Sequence, residues 1–198
     1  MKVLEIKKNK IKNMLDIYFD DDLILTMYEE DYYRMNLYEK EQFTYEDIEK
    51  IKDITEEKLA RTYAMKLILY KKRTKKEIED LLSKKDIKID IINKVIQGLE
   101  ADGYLDDILY AKKLIQKLAL KNKSKKQVEV EFKLRGLDYL KEIIDSYEDD
   151  EATLCKIFNK KFLDKDLKDE KTRFKIYNFF RSKGFSNEVI RKFIPLDR

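Results

Sequence analysis

The chain has 198 residues, a formal net charge of +4, and only four glycines and one proline. It has no histidine and a single cysteine, which excludes histidine-dependent catalytic triads, histidine or cysteine-cluster metal sites, and any internal disulfide. Neither a GxxxxGKS/T loop nor a GxGxxG fingerprint is present, so the sequence predicts a protein that is not an enzyme and needs no cofactor or metal.

The chain contains no apolar run near the ~18 residues that a membrane helix requires, and its N-terminus lacks the apolar core of a signal peptide. Scarce glycine and proline, combined with 42% charged residues, favour many helices joined by short turns. We therefore expect a cytoplasmic, mainly α-helical protein without a membrane partner.

Three short runs rich in β-branched and aromatic residues open the chain and predict a small antiparallel β-meander. The runs are VLEI (3–6), MLDIYF (14–19) and LILTMY (23–28). Three consecutive aspartates, residues 20–22, supply the turn between the last two strands.

Two helices are predicted to complete this first segment, residues 1–54. The first follows the last strand and covers residues 29–36. The second opens at TYED (44–47), where Thr44 and Asp47 resemble a capping box that satisfies the free amides of a helix start.

From Thr55 onward the pattern is helical and contains an internal repeat. Three segments align without gaps: TKKEIEDLLSKKDI (74–87), SKKQVEVEFKLRGL (124–137) and TRFKIYNFFRSKGF (172–185). Each segment begins with a residue that can cap a helix, namely Thr74, Ser124 and Thr172. Apolar residues at the fifth and ninth positions lie on one helical face. The thirteenth position, where the helix must end, holds Asp86, Gly136 and Gly184.

A further helix is predicted before and after each segment, so that three helices recur three times at intervals of roughly 45–50 residues. This spacing is typical of tandem small helical bundles. The predicted fold is therefore mainly α, with a small N-terminal β/α segment followed by three modules. The modules are residues 55–105, 106–148 and 149–198.

Two adjacent aspartates, Asp106 and Asp107, raise the alternative of a metal-dependent nuclease. Neighbouring side chains at one helix start point in different directions, and no third or fourth ligand is evident. Asp106 is instead expected to cap the next helix and Asp107 to favour its positive end, with Gly103 ending the preceding helix in a left-handed conformation. The pair is thus interpreted as part of a hinge between two modules.

Five segments also carry a family resemblance. They are FDDDLILTMYEEDYYRMNL (19–37), YA (63–64), RTKKEIEDLL (73–82), LEADGYLDDILYAKKLI (99–115) and KSKKQVEVEFKLRGLD (123–138). Together they resemble the RecX family of bacterial regulators of the RecA recombinase, in its low-GC Gram-positive form. The third repeat and residues 38–43 match least. Relatives often carry a glycine in the short stretch 38–43, where this chain has YEKEQF.

The resemblance implies modules that are winged-helix-like three-helix units without the wing. It also implies a non-enzymatic regulator that lies along the groove of the RecA–DNA filament and inhibits recombinase and ATPase activity in homologous recombination and SOS repair. The implied partners are the RecA filament and, without sequence preference, the backbones of single- and double-stranded DNA. The protein itself is expected to be a monomer.

Basic residues are concentrated in the middle of the chain: residues 1–57 carry a net charge of −7, residues 58–140 of +9 and residues 141–198 of +2. Two windows without any acidic residue, 58–76 and 111–128, fall at the same place in repeats one and two, between the first and second helices. The alternative is a plain solvated helix surface, but this placement favours a basic stripe for phosphates or an acidic RecA surface. The candidate RecA- or DNA-binding residues are Lys71, Lys72, Arg73, Lys75, Lys76, Lys112, Lys113, Lys117, Lys121, Lys123, Lys125, Lys126, Lys133 and Arg135.

Lysine outnumbers arginine in these windows, which predicts contacts to a nucleic-acid backbone without sequence readout and an affinity that falls steeply with salt. Tyr63, Tyr104 and Tyr110 are expected to pack in the core rather than to stack on bases. The alternative function is a helix-turn-helix transcription regulator, in which the second helices would read a defined operator, commonly as part of a symmetric dimer.

Overall fold

The computed structural model describes residues 1–147 and 149–194, which contain ten α-helices, one short 3-10 helix (Leu37–Glu39) and one three-stranded sheet. The strands are β1 Val3–Lys8, β2 Met14–Phe19 and β3 Ile24–Tyr28. The helices are α1 Glu29–Arg34, α2 Tyr45–Tyr70, α3 Lys75–Ser83, α4 Ile89–Ala101, α5 Asp107–Leu120, α6 Lys125–Leu134, α7 Lys141–Asp145, α8 Asp150–Lys161, α9 Glu170–Ser182 and α10 Asn187–Phe193. The predicted mainly helical fold with an N-terminal antiparallel sheet is confirmed.

The chain forms two compact units, and one of the boundaries between them falls inside α3. The first unit contains Met1–Lys71 and Ile78–Tyr104. The second contains Lys72–Glu77 and the chain from Leu105 onward. The first turn of α3 therefore belongs to the second unit. No helix in either described part is long and apolar enough to cross a membrane.

The sheet of the first unit is the predicted meander, in which β2 is the central strand and pairs antiparallel with both neighbours. Its residues Ile17 and Phe19 are buried, and Phe19 packs edge to face on Phe43 with the ring centroids 5.3 Å apart. Asp22 lies in the turn between β2 and β3 with a φ of 60°, a left-handed conformation that aspartate tolerates better than most residues. The aspartate run therefore forms the predicted turn between the two strands.

Helix α2 is one continuous helix of 26 residues and runs across the predicted module boundary between Ile54 and Thr55. Its capping box is confirmed, because the Asp47 amide donates to the Thr44 hydroxyl and the Thr44 amide donates to the Asp47 carboxylate. The Lys40 ammonium and the bonds from Thr44 hold the pKa of Asp47 well below its usual range. No glycine or proline interrupts residues 45–70, so nothing in the backbone chemistry ends the helix at the expected boundary.

Helix α4 packs on α2 in the first unit through a buried stripe. The stripe contains Ile91, Ile92, Val95 and Leu99, which follow the spacing of one helical face. Gly103 follows α4 with a φ of 73°, and the amide of Tyr104 donates to the carbonyl of Leu99. This six-to-one bond is the closing bond of a Schellman motif, so the predicted left-handed end of this helix is confirmed.

The aligned segments of repeats two and three bury the face that the repeat predicts. Phe132 on α6 and Phe180 on α9 are both fully buried, each within its own hydrophobic cluster. The predicted cap of α9 is wrong by three residues. Its N-cap is Asp169, whose carboxylate accepts hydrogen bonds from the amides of Lys171 and Thr172, so the helix starts before Thr172. An aspartate one turn earlier offers an equally good cap and a longer helix.

Candidate nucleic-acid interface

Two helix starts in the second unit are buried and make the same long-range bond. Thr74 precedes α3 and Ser124 precedes α6, and both side chains are fully buried. The Thr74 hydroxyl donates to the carbonyl of Arg135 at 2.9 Å, and the Ser124 hydroxyl donates to the carbonyl of Lys183 at 2.7 Å. Each hydroxyl also accepts the amide of the residue three positions later. We call these contacts the α3 joint and the α6 joint.

A carboxylate from another helix completes each joint. In the α3 joint the Lys75 amide donates to Asp107 at 3.0 Å, and in the α6 joint the Lys125 amide donates to Asp150 at 2.7 Å. The Tyr139 hydroxyl also donates to Asp107, at 3.1 Å. Burial raises the pKa of Asp150 despite the bond from the Lys125 amide. Both joints therefore join a helix start to the first turn of another helix.

Asp106 and Asp107 are adjacent in the sequence but have different roles in the structure. Asp106 caps α5 as predicted, because its carboxylate accepts the amide of Leu109 at 2.8 Å. Asp107 is 5% exposed, and its carboxylate serves the α3 joint in addition to lying in the first turn of α5. Within residues 1–147 and 149–194, no group of three or more acidic or cysteine side chains is arranged to hold a metal ion.

Close backbone approach at Gly136 and Gly184 is the third shared feature of the joints. A Cβ at Gly136 would lie 2.5 Å from Cδ and 2.7 Å from Cβ of Lys76. A Cβ at Gly184 would lie 3.0 Å from the Ser124 hydroxyl and 3.5 Å from Cβ of Lys126. Glycine at the end of α6 and α9 therefore lets a helix start pack directly on it. The joints place basic residues of the predicted stripe beside these helix ends.

The predicted binding residues differ in how available they are. Nine are exposed: Lys71, Lys72, Lys76, Lys112, Lys113, Lys117, Lys121, Lys126 and Lys133. Arg73, Lys75, Lys123, Lys125 and Arg135 are half-buried. Lys125 pairs with Asp145 at 3.0 Å, and Arg135 pairs with Glu131 and donates to its carbonyl, so these two side chains already have protein partners.

On α5, Lys112, Lys113 and Lys117 are exposed, while Ala111, Leu114 and Leu118 are buried. These three lysines form no ion pair with any carboxylate among the described residues, so their charge is available to a partner. We call them the α5 triplet. Three such lysines close together on one helix suit contact with a polyanion.

Of the three tyrosines expected to pack in the core, Tyr63 and Tyr110 are half-buried and Tyr104 is exposed. Tyr63 is half-buried and its ring carries the Lys85 ammonium 4.5 Å from the centroid. Tyr110 packs against the core of the second repeat. Tyr104 is 41% exposed, so the predicted core position is wrong for this residue. It follows Gly103 in the turn after α4, where a side chain can extend into solvent.

Three further lysines line a cavity in the second unit together with Lys121 and Lys123. They are Lys160, Lys161 and Lys183, none of which is among the binding residues predicted from the sequence. A signal for Lys183 was present, because it aligns with the candidate Arg135 at the twelfth position of the repeat. Lys160 and Lys161 lie in a shorter acid-free run, residues 152–163, which contains only three basic residues.

The family model for the third three-helix domain of RecX matches residues 148–194. A Finegoldia magna protein named regulatory protein RecX is 34% identical over 142 residues, covering 65% of this chain and 67% of the relative. A Streptococcus sanguinis protein of the same name is 30% identical over 116 residues, covering 59% of this chain and 44% of the relative. The matched part of the chain thus spans less than half the length of the streptococcal relative.

A crystal structure described as regulatory protein RecX has a TM-score of 0.66 with this chain at 18% identity, covering 98% of both chains. The crystal structure of RecX from Lactobacillus salivarius has a TM-score of 0.57 at 24% identity, covering 70% of this chain and 94% of that chain. These two likenesses establish the shared fold. Together with the identity to the Finegoldia relative over two thirds of its length, they lead to one conclusion: the chain belongs to the RecX family of regulatory proteins.

Proposed function

We propose that this protein binds the RecA–DNA filament and inhibits its recombinase and ATPase activity. The single observation that carries the proposal is membership of a family whose relatives are named regulatory proteins. The basic surface of the second unit supports it, since the α5 triplet offers charge without competing carboxylates. The modules 55–105, 106–148 and 149–198 are proposed as the binding scaffold, with the first beginning within α2. The protein acts as a cytoplasmic monomer and catalyses no reaction.

Mode of DNA contact follows from the residue types. Lysine ammonium groups bind phosphate as point charges, whereas base recognition relies mainly on bidentate groups such as arginine. The α5 triplet therefore suits contact with a phosphate backbone, independent of sequence. A transcription regulator of the helix-turn-helix class would instead select a defined operator from random DNA and commonly bind it as a dimer.

The direct test adds the full-length protein to RecA, single-stranded DNA and ATP. Filament ATPase and strand exchange are expected to fall at amounts of protein well below one per RecA. RecA with buffer alone, and RecA with the protein after heat denaturation, serve as controls. Unchanged ATPase and strand exchange at one protein per RecA would contradict the proposal, and selection of one duplex sequence would favour the transcription regulator.

Removing the charge of the α5 triplet is expected to weaken DNA binding without unfolding the protein. The variant carries Lys112→Gln, Lys113→Gln and Lys117→Gln, and glutamine keeps nearly the helix propensity of lysine. If each lysine neutralises one phosphate, the slope of log K against log salt falls in magnitude by about 2 for single-stranded DNA. Fluorescence anisotropy with a labelled oligothymidylate at several salt concentrations measures this slope.

The matched control neutralises three exposed lysines of the first unit, Lys8, Lys10 and Lys12, and so changes the net charge equally. This control is expected to keep most of the salt dependence. Equal loss in both variants would mean that net charge alone, and not the α5 triplet, governs binding.

A further inference from the structure

A cavity of about 200 Å³ in the second unit is lined by five lysines and no acidic residue. The lysines are Lys121, Lys123, Lys160, Lys161 and Lys183. Asn122 and Gln127 add amide groups to the wall, and Ile157 and Phe179 add apolar surface. Among the residues that the structure describes, none of the five lysines forms an ion pair with a carboxylate. We call this cavity the lysine pocket.

Helix ends account for part of this charge. Lys121 and Lys183 occupy the C-cap positions of α5 and α9, and Lys160 and Lys161 form the last turn of α8. Each helix C-terminus carries a partial charge of roughly −0.5, so three of them supply roughly −1.5. Five ammonium groups exceed this by roughly 3.5 positive charges. The helix ends alone therefore leave most of the charge of the lysine pocket uncompensated.

The Phe179 ring positions two of the charges. The ammonium groups of Lys161 and Lys183 lie 5.2 and 5.8 Å from its centroid, within the range of cation–π attraction. The ring is itself held by edge-to-face contacts with Phe162 at 5.2 Å and Phe180 at 5.3 Å. Two ammonium groups are thus oriented by a ring that the core of the third repeat fixes in place.

Size decides what kind of anion fits. Pockets that enclose a whole small molecule usually measure ~300–1,000 Å³, and the lysine pocket is smaller than that range. It suits one phosphate group of a larger ligand that continues outside the cavity. Lysine ammonium and amide N–H groups are donors suited to the oxygens of a phosphodiester.

We propose that the lysine pocket binds a backbone phosphate of a single-stranded nucleic acid. In the filament this strand would be DNA, and that identification rests on the proposed function. The binding of a phosphodiester to the lysine pocket does not depend on the proposed function. The lysine pocket contains Lys160, Lys161 and Lys183, which lie outside the predicted stripe. It therefore extends the binding surface from the second repeat to the third.

The test compares the full-length protein with the variant Lys160→Gln/Lys161→Gln, using labelled oligothymidylate and no RecA. The dissociation constant is expected to rise about three- to tenfold, and the salt slope to fall in magnitude by about 0.7, the value for one phosphate of a single strand. The control variant Lys165→Gln/Lys168→Gln removes the same charge from two exposed residues outside the pocket and is expected to change the constant less than twofold. Circular dichroism melting verifies that each variant is folded.

Two further measurements separate the alternatives. Phe179→Leu keeps all five lysines but removes the ring, and it is expected to weaken oligothymidylate binding by about two- to fivefold. ATP added to the wild-type complex tests a free nucleotide as the ligand, and ATP binding that Lys160→Gln/Lys161→Gln abolishes would overturn the assignment to a strand. Unchanged oligothymidylate binding by Lys160→Gln/Lys161→Gln would also overturn the assignment to a strand. If this variant binds oligothymidylate normally but no longer inhibits RecA, the pocket is assigned to an acidic protein surface instead. If the wild-type protein binds DNA through the pocket but leaves RecA activity unchanged, the proposed function fails and the pocket assignment stands.

Discussion

Asp107→Ala is expected to lower the free energy of unfolding by about 2–4 kcal/mol. The carboxylate is 5% exposed and accepts hydrogen bonds from the Lys75 amide and the Tyr139 hydroxyl. Alanine leaves the amide of Lys75, which follows the fully buried Thr74, without this partner. Hydrogen bonds to a charged group are among the more strongly stabilising ones, and a buried donor left unpaired adds its own penalty. Urea denaturation followed by circular dichroism measures the loss.

The neighbouring residue supplies the matched control. Asp106→Ala removes the cap of α5, and its expected cost is about 1 kcal/mol because the side chain is exposed and water replaces part of the bond. The two substitutions are chemically identical and one position apart. Equal destabilisation by both would contradict the role of Asp107 in the α3 joint.

Gly136→Ala is expected to destabilise the protein by about 2–5 kcal/mol, which combines two separate costs. The left-handed φ of 66° costs a residue with a Cβ about 1–2 kcal/mol. The new methyl group would also lie 2.7 Å from Cβ of Lys76, an atom held by the backbone of α3. The helix start must therefore move away, and overpacking of this kind costs about 1–3 kcal/mol. Thermal and urea unfolding of the purified variant measure the total.

Gly103→Ala isolates the first of these costs. Gly103 has a similar φ of 73°, but a Cβ there would meet nothing within 4 Å. Its expected cost is about 1–2 kcal/mol. The difference in destabilisation between Gly136→Ala and Gly103→Ala then measures the crowding in the α3 joint. Equal destabilisation by the two variants would mean that α3 does not pack on Gly136 in solution.

Local chemistry was sufficient to predict much of the fold. The β-meander, the Thr44–Asp47 capping box, the Asp106 cap and the left-handed Gly103 depend on residues a few positions apart, and the structure has all four. A cap or a turn is stabilised by its immediate neighbours, so its residues can be recognised in a short window. The repeat likewise predicted the buried positions of Phe132 and Phe180, because one helical face follows from spacing alone.

Tertiary structure decided which of these residues act together. Thr74 and Arg135 are 61 positions apart, and no local pattern indicates that the hydroxyl of one meets the carbonyl of the other. The same holds for Asp107, whose partners lie 32 positions away on either side. It also holds for the lysine pocket, which is lined by residues of α6, α8 and α9 and of the turn that follows α5. The sequence could identify the lysines as basic, but not that Lys125 and Arg135 have carboxylate partners while the α5 triplet does not. Charge and capping ability are properties of single residues, whereas burial and pairing arise only when distant segments pack.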